Sequence, residues 1–161
     1  MVILGIDPGS RFTGWGIVEH AGSRTTYRAS GVFRLGSERP LADRLLTLSR
    51  EMDAMLEAHQ PEQCAIEQIF TARNARSALV LGHARGVILA TLAARGVIIA
   101  EYSATQIKQS VVGKGRASKD QVQQMVAVLL GRREKMMEDE ADALAVALTH
   151  GVNRNLARRL T

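Results

Sequence analysis

VILGIDPGSRFTGWG, residues 2–16, sets an acid at the place where a buried strand should simply stop. Residues 2–6 are apolar or glycine throughout, the pattern of a strand covered on both faces. Asp7 closes the run, and Pro8 and glycines 9, 14 and 16 follow. A carboxylate at the end of such a strand is unwelcome unless something there pairs with it. Downstream, GWGIVEH (residues 14–20) and RTTYRASGVFRL (residues 24–35) read as two further strands, with Gly22 and Ser23 as a tight turn between them. Connections of hairpin length make the three strands antiparallel neighbours.

Bulk properties narrow the class. The 161 residues, 46% of them hydrophobic, are enough for one well-filled core. Lys and Arg (21) exceed Asp and Glu (16), a net charge of +5 that favours an acidic partner such as nucleic acid. The single Cys64 excludes an intramolecular disulfide and fits a reducing compartment. No uninterrupted apolar run approaches the roughly 18 residues of a membrane span, and Met1 leads straight into a strand rather than a signal peptide. The expectation is a soluble, cytoplasmic protein with no membrane partner.

Beyond the hairpins the pattern changes to alternation. Pro40 stands near the first turn of a helix, where proline is tolerated, and Leu41, Leu45, Leu48, Met52, Met55 and Leu56 give that helix one apolar stripe. Pro61 closes it, and QCAIEQIF (residues 63–70) supplies a fourth strand. ARSALVLGHARGVILATLAA (residues 75–94) is apolar round most of its circumference and needs cover on two sides. One side suits the sheet; the other, around Gly82 and Gly86, meets either a second copy of the chain or the rest of a small domain. GVIIAEYS (residues 96–103) is the fifth strand, followed by a short helix through Lys108 and the loop VVGKGRAS. Ser118 and Gln121 form a capping-box start to a helix bearing Val122, Met125, Val126 and Leu129. A last helix runs from about Asp139 to His150, whose place at a helix C-terminus the macrodipole explains. Residues 1–152 therefore read as one domain, and 153–161 as a short basic tail with Arg154, Arg158 and Arg159.

This order predicts an α/β fold with a mixed five-stranded sheet and helices on both faces. Ligand sites in such sheets lie at the carboxyl ends of parallel strands. Asp7 ends the first strand and Glu67 sits near the end of the fourth, so parallel pairing would bring the two acids together. Asp139 and Asp142, three residues apart in EDEADALAVALTH, share a helix face beside the apolar stripe. Each acid has an ordinary explanation: a turn-forming Asp before Pro-Gly, an edge-strand Glu, and acids favoured at a helix N-terminus. Together the ordinary explanations weaken, because converging carboxylates raise one another's pKa. An all-oxygen donor set without His or Cys at ligand spacing favours a hard cation, Mg²⁺ or Mn²⁺. Two such ions ~4 Å apart support phosphodiester hydrolysis.

GIDPGSRFTGWG, AIEQIFTARNARSALVLGHARG, KQSVVGKGRASKDQVQQMV and DEADALAVALTH resemble, in order and spacing, the motifs of the RuvC Holliday junction resolvases, over residues 2 to about 150. The resemblance implies a ribonuclease H-like fold. It also implies a homodimer that nicks two opposed strands of four-way junction DNA, with Mg²⁺ or Mn²⁺ (two ions per active site), as a crossover junction endodeoxyribonuclease of recombination and repair. The branch-migration proteins RuvA and RuvB are the implied partners. By the same resemblance Asp7, Glu67, Asp139 and Asp142 are the metal-binding catalytic acids, with Asp7 bridging the ions. Phe70 would stack on or wedge against an unpaired base. Lys108 and Lys119 fall on basic positions of the family pattern, and Arg73, Asn74, Arg76, Lys114 and Arg116 add DNA contacts around the acids. Gly113 and Gly115 would let backbone approach a phosphate. Lys119 would also neutralise charge developing on the scissile phosphate.

Three positions depart from the family pattern: Trp15 where Tyr is common, His83 where Gln is common, and Asp rather than His in the acidic helix. Trp15 should alter packing alone, and His83 reads as interfacial. Two other functions compete. A phosphate-loop ATPase of the actin and sugar-kinase type also opens with a strand, an Asp and a Gly-rich hairpin, but needs a second lobe that these residues do not supply. A binding module with a dead active site would not keep all four acids.

Overall fold

A computed structural model of the chain describes residues 1–68 and 74–159, with side chains through 154. Phe70 and Arg73, both expected at the DNA, lie outside the described residues. In chain order the described elements are β1 (Val2–Asp7), β2 (Phe12–Ala21), β3 (Arg24–Arg34), α1 (Leu41–His59), β4 (Gln63–Glu67), α2 (Ala75–Ala94), β5 (Ile98–Tyr102), α3 (Ala104–Val112), α4 (Lys119–Leu129) and α5 (Glu138–Arg159). The strands form one sheet in the order β3-β2-β1-β4-β5. The two hairpin pairings are antiparallel, and β1–β4 and β4–β5 are parallel. This is the mixed sheet that the sequence predicts.

Strand alternation divides the core in two. Leu4, Ile6, Cys64 and Ile66 face α1 and α2, where they meet Leu48, Met52, Ala84, Ile88 and Leu92. Ile3 and Ala65 point to the other face and pack with Ile107, Val122, Val126 and residues 144–148 of α5. On the first face the indole of Trp15 lies against Phe33 and His59, with ring centroids 5.9 and 5.7 Å apart. On the second, α5 rests directly on the backbone of the central strands. A Cβ on Gly5 would stand 2.0 Å from the Ala143 carbonyl oxygen, so only glycine admits the helix there. Ala143, Ala145 and Ala147, all buried, complete the close approach from the helix side.

The helix boundaries follow local chemistry. Pro40 is the N-cap of α1, and Gln60, in the left-handed region at φ 46°, turns the chain out of it ahead of Pro61. Ser118 and Gln121 form the expected capping box, and Ser103 with Gln106 forms a second one that starts α3. Helix α3 continues to Val112, past the expected end at Lys108.

Two expectations are corrected here. Helix α5 does not stop near His150 but continues to Arg159, so the expected break near residue 152 falls inside a helix. Nothing in VNRNLARR interrupts a helix, and position 151 calls for glycine because a Cβ there would stand 2.8 Å from the Nδ1 of His20. Helix α2 is also long and apolar enough, by length and composition, to cross a membrane. Arg76, His83 and Arg85 break the run of apolar letters without removing that average character. In the fold its stripe of Ala84, Ile88 and Leu92 is buried against the sheet. The opposite face, with Leu79 64% exposed, is uncovered.

Candidate active site

The parallel register of β1 and β4 pairs Ile6 with Ile66, so Asp7 and Glu67 occupy the same level at the carboxyl ends of adjacent strands. Ile6 and Ile66 point toward α1 and α2. Alternation therefore sends Asp7 and Glu67 to the face that carries α5. The turn after Asp7 is closed without it: Gly9 N–H donates to Thr13 Oγ1 (3.3 Å), and the Thr13 hydroxyl donates back to the Gly9 carbonyl (3.2 Å). Arg44 of α1 donates to the Ser10 carbonyl and pins the same turn. Asp7 is thus no turn-former, and its carboxylate is left for the site.

Helix α5 brings the other acids. Gly14 is the cross-strand partner of Asp7, and a Cβ on it would stand 1.9 Å from the Asp139 carbonyl oxygen. The first turn of α5 is therefore seated on the strand directly beside Asp7. Glu140 fixes the turn from the other side: Ser30 donates to Oε1, and the Met137 N–H donates to Oε2 (3.1 Å). Asp142 follows one turn on, where with Glu67, Lys108 and Lys119 it lines a cavity of about 230 Å³.

The acids stand near enough to act on one another's charge. Burial, then the charges of Asp142, Glu67 and Asp139, push the Asp7 carboxyl up to about 8, against an opposing pull from Lys119. Burial and Asp142 also raise Glu67, while Lys119 and Lys108 hold it back. Asp142 is raised by burial despite its 2.9 Å ion pair with Lys119 Nζ. Lys119 bonds Glu138 as well. Although partial burial works against its charge, these two carboxylates hold its pKa above the usual lysine value.

Among the described residues no three His, Cys, Asp or Glu side chains already stand at the spacing of a finished metal cage. The donor set nonetheless fits a hard divalent cation. It is all carboxylate oxygen, and burial, reinforced by the neighbouring negative charges, pushes the Asp7 carboxyl toward its neutral form. A cation is what such a group lacks.

The remaining expected residues fall into distinct roles. Lys108 lies on the cavity wall, and Lys114 and Arg116 are exposed on the loop before α4. Asn74 is the N-cap of α2, its side-chain oxygen accepting from the Ser77 N–H at 2.9 Å, and Arg76 is exposed in the turn that follows. Gly113 caps α3 at φ 79°, a conformation that itself calls for glycine. Gly82 and Gly86 lie on the uncovered face of α2, with His83 between them bonded through Nδ1 to the Leu79 carbonyl at 2.6 Å.

His150 departs from the expectation. It lies inside α5 and is buried, with Nδ1 2.7 Å from the Tyr102 hydroxyl and Nε2 2.6 Å from Gln63 Oε1. Burial, with Arg154 and His20 nearby, lowers its pKa to about 4, so it is a neutral hydrogen-bonding link and not a cation at a helix end. Sequence reasoning also passed over Glu138 and Glu140, the partners of Lys119 and Ser30, and over Arg85, an arginine set in the apolar interior of α2 nine residues beyond Arg76 at its start. The apolar setting of Arg85 was the available signal.

Comparison with known proteins agrees with this geometry. Residues 3–150 match the family described as Crossover junction endodeoxyribonuclease RuvC. The chain is 48% identical over 158 residues to the protein of that name from Marinobacter nauticus, covering 98% of this chain and 90% of the relative. It is 51% identical over 148 residues to the one from Hahella chejuensis, covering 92% and 86%. Among solved structures, Thermus thermophilus RuvC in complex with a Holliday junction substrate superposes with a TM-score of 0.92 at 32% identity, covering 98% of this chain and 96% of that one. The yeast mitochondrial Holliday junction resolvase Ydc2, 15% identical with a TM-score of 0.65, shares the fold.

Proposed function

Because the chain belongs to the RuvC family of crossover junction endodeoxyribonucleases, we propose that it resolves four-way (Holliday) DNA junctions by paired, metal-dependent hydrolysis of opposed phosphodiesters. The observation that carries this reading is the convergence of carboxylates from two strand ends and one helix: Asp7 and Glu67 share a level in the β1–β4 register, and the first turn of α5, with Asp139, is seated on Gly14 beside Asp7. The metal is Mg²⁺ or Mn²⁺, two ions per site, held by Asp7, Glu67, Asp139 and Asp142. Bound there, such ions supply an activated water and stabilise the leaving oxygen.

The side chains set up that chemistry. Asp7 must give up its proton for the site to load, so loading is favoured as the pH rises toward 8. Glu67, Asp142, Lys108 and Lys119 line one cavity, so two lysine charges stand beside the acids. Lys119, bonded to Asp142 and Glu138, offsets the negative charge that a scissile phosphate brings to an already acidic site. Lys114, Arg116 and Arg76 hold the flanking backbone, Asn74 holds the start of α2, and by family likeness Phe70 and Arg73 contact the junction.

Two opposed cuts require two sites. The uncovered apolar face of α2, around Leu79, Gly82, Gly86 and Ala90, suits self-association about a two-fold axis, which matches the symmetry of a four-way junction. By family likeness the homodimer works with RuvA and RuvB, in the cytoplasm.

The test is incubation of a synthetic mobile four-way junction with Mg²⁺ or Mn²⁺, with products read on a sequencing gel. Symmetric nicks that ligase reseals are expected. Equal nicking of linear duplex would demote the protein to a general nuclease, and an uncut junction bound equally with and without metal would make it a binding module.

A further inference from the structure

Glu67 is the last residue of β4, and its carbonyl is bonded by a side chain from another layer. The following N–H, of Gln68, donates to the Tyr102 carbonyl at 2.8 Å and ends the ladder to β5. Beyond Tyr102 the chain leaves the sheet at Ser103, the N-cap of α3. The Glu67 carbonyl, which points the opposite way from the Gln68 N–H, is taken up by Arg85 of α2, whose Nη1 donates to it at 3.0 Å. The second terminal nitrogen, Nη2, pairs with Glu101 of β5 at 2.8 Å. The arginine side chain is only 18% exposed.

We propose that Arg85 is a positioning residue for Glu67, tying the end of β4 to α2 and so setting where the Glu67 carboxylate stands in the acid site. Alternation places Glu101 on the α2 face with Ile99, whereas Glu67 projects to the α5 face. Arg85 therefore approaches from the side of the sheet away from the cavity and acts through the backbone. Its planar fork meets a carbonyl and a carboxylate at once, which a lysine ammonium cannot do in one geometry. Gly82 and Gly86 flank it in sequence on the uncovered face of the same helix. A shift of α2, including one produced by pairing through that face, is passed to Glu67 through the one side chain that bonds the Glu67 carbonyl and Glu101 together.

The inference rests on the nuclease reading, and its test separates the two. Arg85→Met, Arg85→Lys, Glu101→Gln and the unsubstituted protein are titrated with Mn²⁺. One readout is the rate of junction nicking. The other, without DNA, is the rise in Tm that the ion produces. Loss of a partner that orients a metal-binding group weakens binding by about 10–100-fold. Arg85→Met should thus move both midpoints upward by about that factor, with maximal nicking recovered at high Mn²⁺ and junction affinity in EDTA unchanged. Arg85→Lys should shift several-fold, and Glu101→Gln less, because the bond to the Glu67 carbonyl survives. Arg85→Met titrating like the unsubstituted protein would overturn the proposal. Should that variant fail to fold, Arg85→Lys decides, and a wild-type midpoint for it overturns the proposal equally. Failure of the unsubstituted protein to nick junctions would count against the nuclease reading alone, since the Tm titration still reports on Arg85.

Discussion

Replacing Asp7 by Asn should make the metal-free protein more stable while abolishing cleavage. Asp7 ionises near 3.8 ordinarily and near 8 in the fold. Between those values the native state holds a proton that the unfolded chain has released, so stability falls as pH rises from about 4 to about 8. At pH 7 the group lies about three pH units above its unfolded value, and each unit corresponds to about 1.4 kcal/mol. The ceiling is about 4 kcal/mol, which relaxation and an effective dielectric near 20 reduce to about 2–4 kcal/mol. Asparagine keeps the shape and removes the titration. For a chain of this size, a gain of that order raises Tm by about 4–16 °C. The assay is thermal melting in EDTA at pH 4, 5.5, 7 and 8.5, with both proteins side by side. The gap should be near zero at pH 4, widen through pH 7, and level off above pH 8. Added Mg²⁺ should raise Tm of the unsubstituted protein and leave the variant unmoved. A variant less stable at pH 7, or a gap independent of pH, would refute the electrostatic account of the site.

Gly14→Ala places a methyl where the Asp139 carbonyl stands. It should displace the first turn of α5, lowering nicking by about 100-fold and stability by about 1–3 kcal/mol in denaturant melts. Lys119→Met removes the charge that holds Asp7, Glu67 and Asp142 down, so the rising limb of the pH–rate profile should move to higher pH; an unmoved limb would exclude Lys119 from the network. Gly86→Asp puts a charge on the uncovered face of α2 and should yield monomers with weak junction binding, and intact dimers in sedimentation would reassign that face. Burial raises the Cys64 thiol pKa, so Ellman's reagent should label it only as the protein unfolds.

Most of the sheet was legible because its signals are local. Apolar runs with an acid at the end mark β1 and β4, Gly22 and Ser23 mark a hairpin, and Ser118 with Gln121 announces α4. Asp7 and Glu67 stood out because each interrupts an apolar strand at its carboxyl end. What escaped depends on contacts distant in sequence. The bond from Arg85 to Glu67, and the acceptance of α5 by Gly5 and Gly14, exist only once the layers are stacked. His150 was misread because no breaker marks the end of α5. The environment of that histidine is set by Gln63 and Tyr102, far away along the chain. The uncovered face of α2 lies between these cases: its apolarity is plain in the sequence, whereas its exposure is a property of the folded chain.

Trp15 is the sole tryptophan of the chain, and its packing against Phe33 and His59 gives the protein a label-free optical reporter. The indole sits in the α1 layer, while Gly14 and Gly16 on either side of it carry α5 on the opposite surface. Its emission should therefore follow dissolution of the architecture and stay silent to substitutions that only disarm the acids. Chemically dead protein and unfolded protein thereby become distinguishable in a single cuvette.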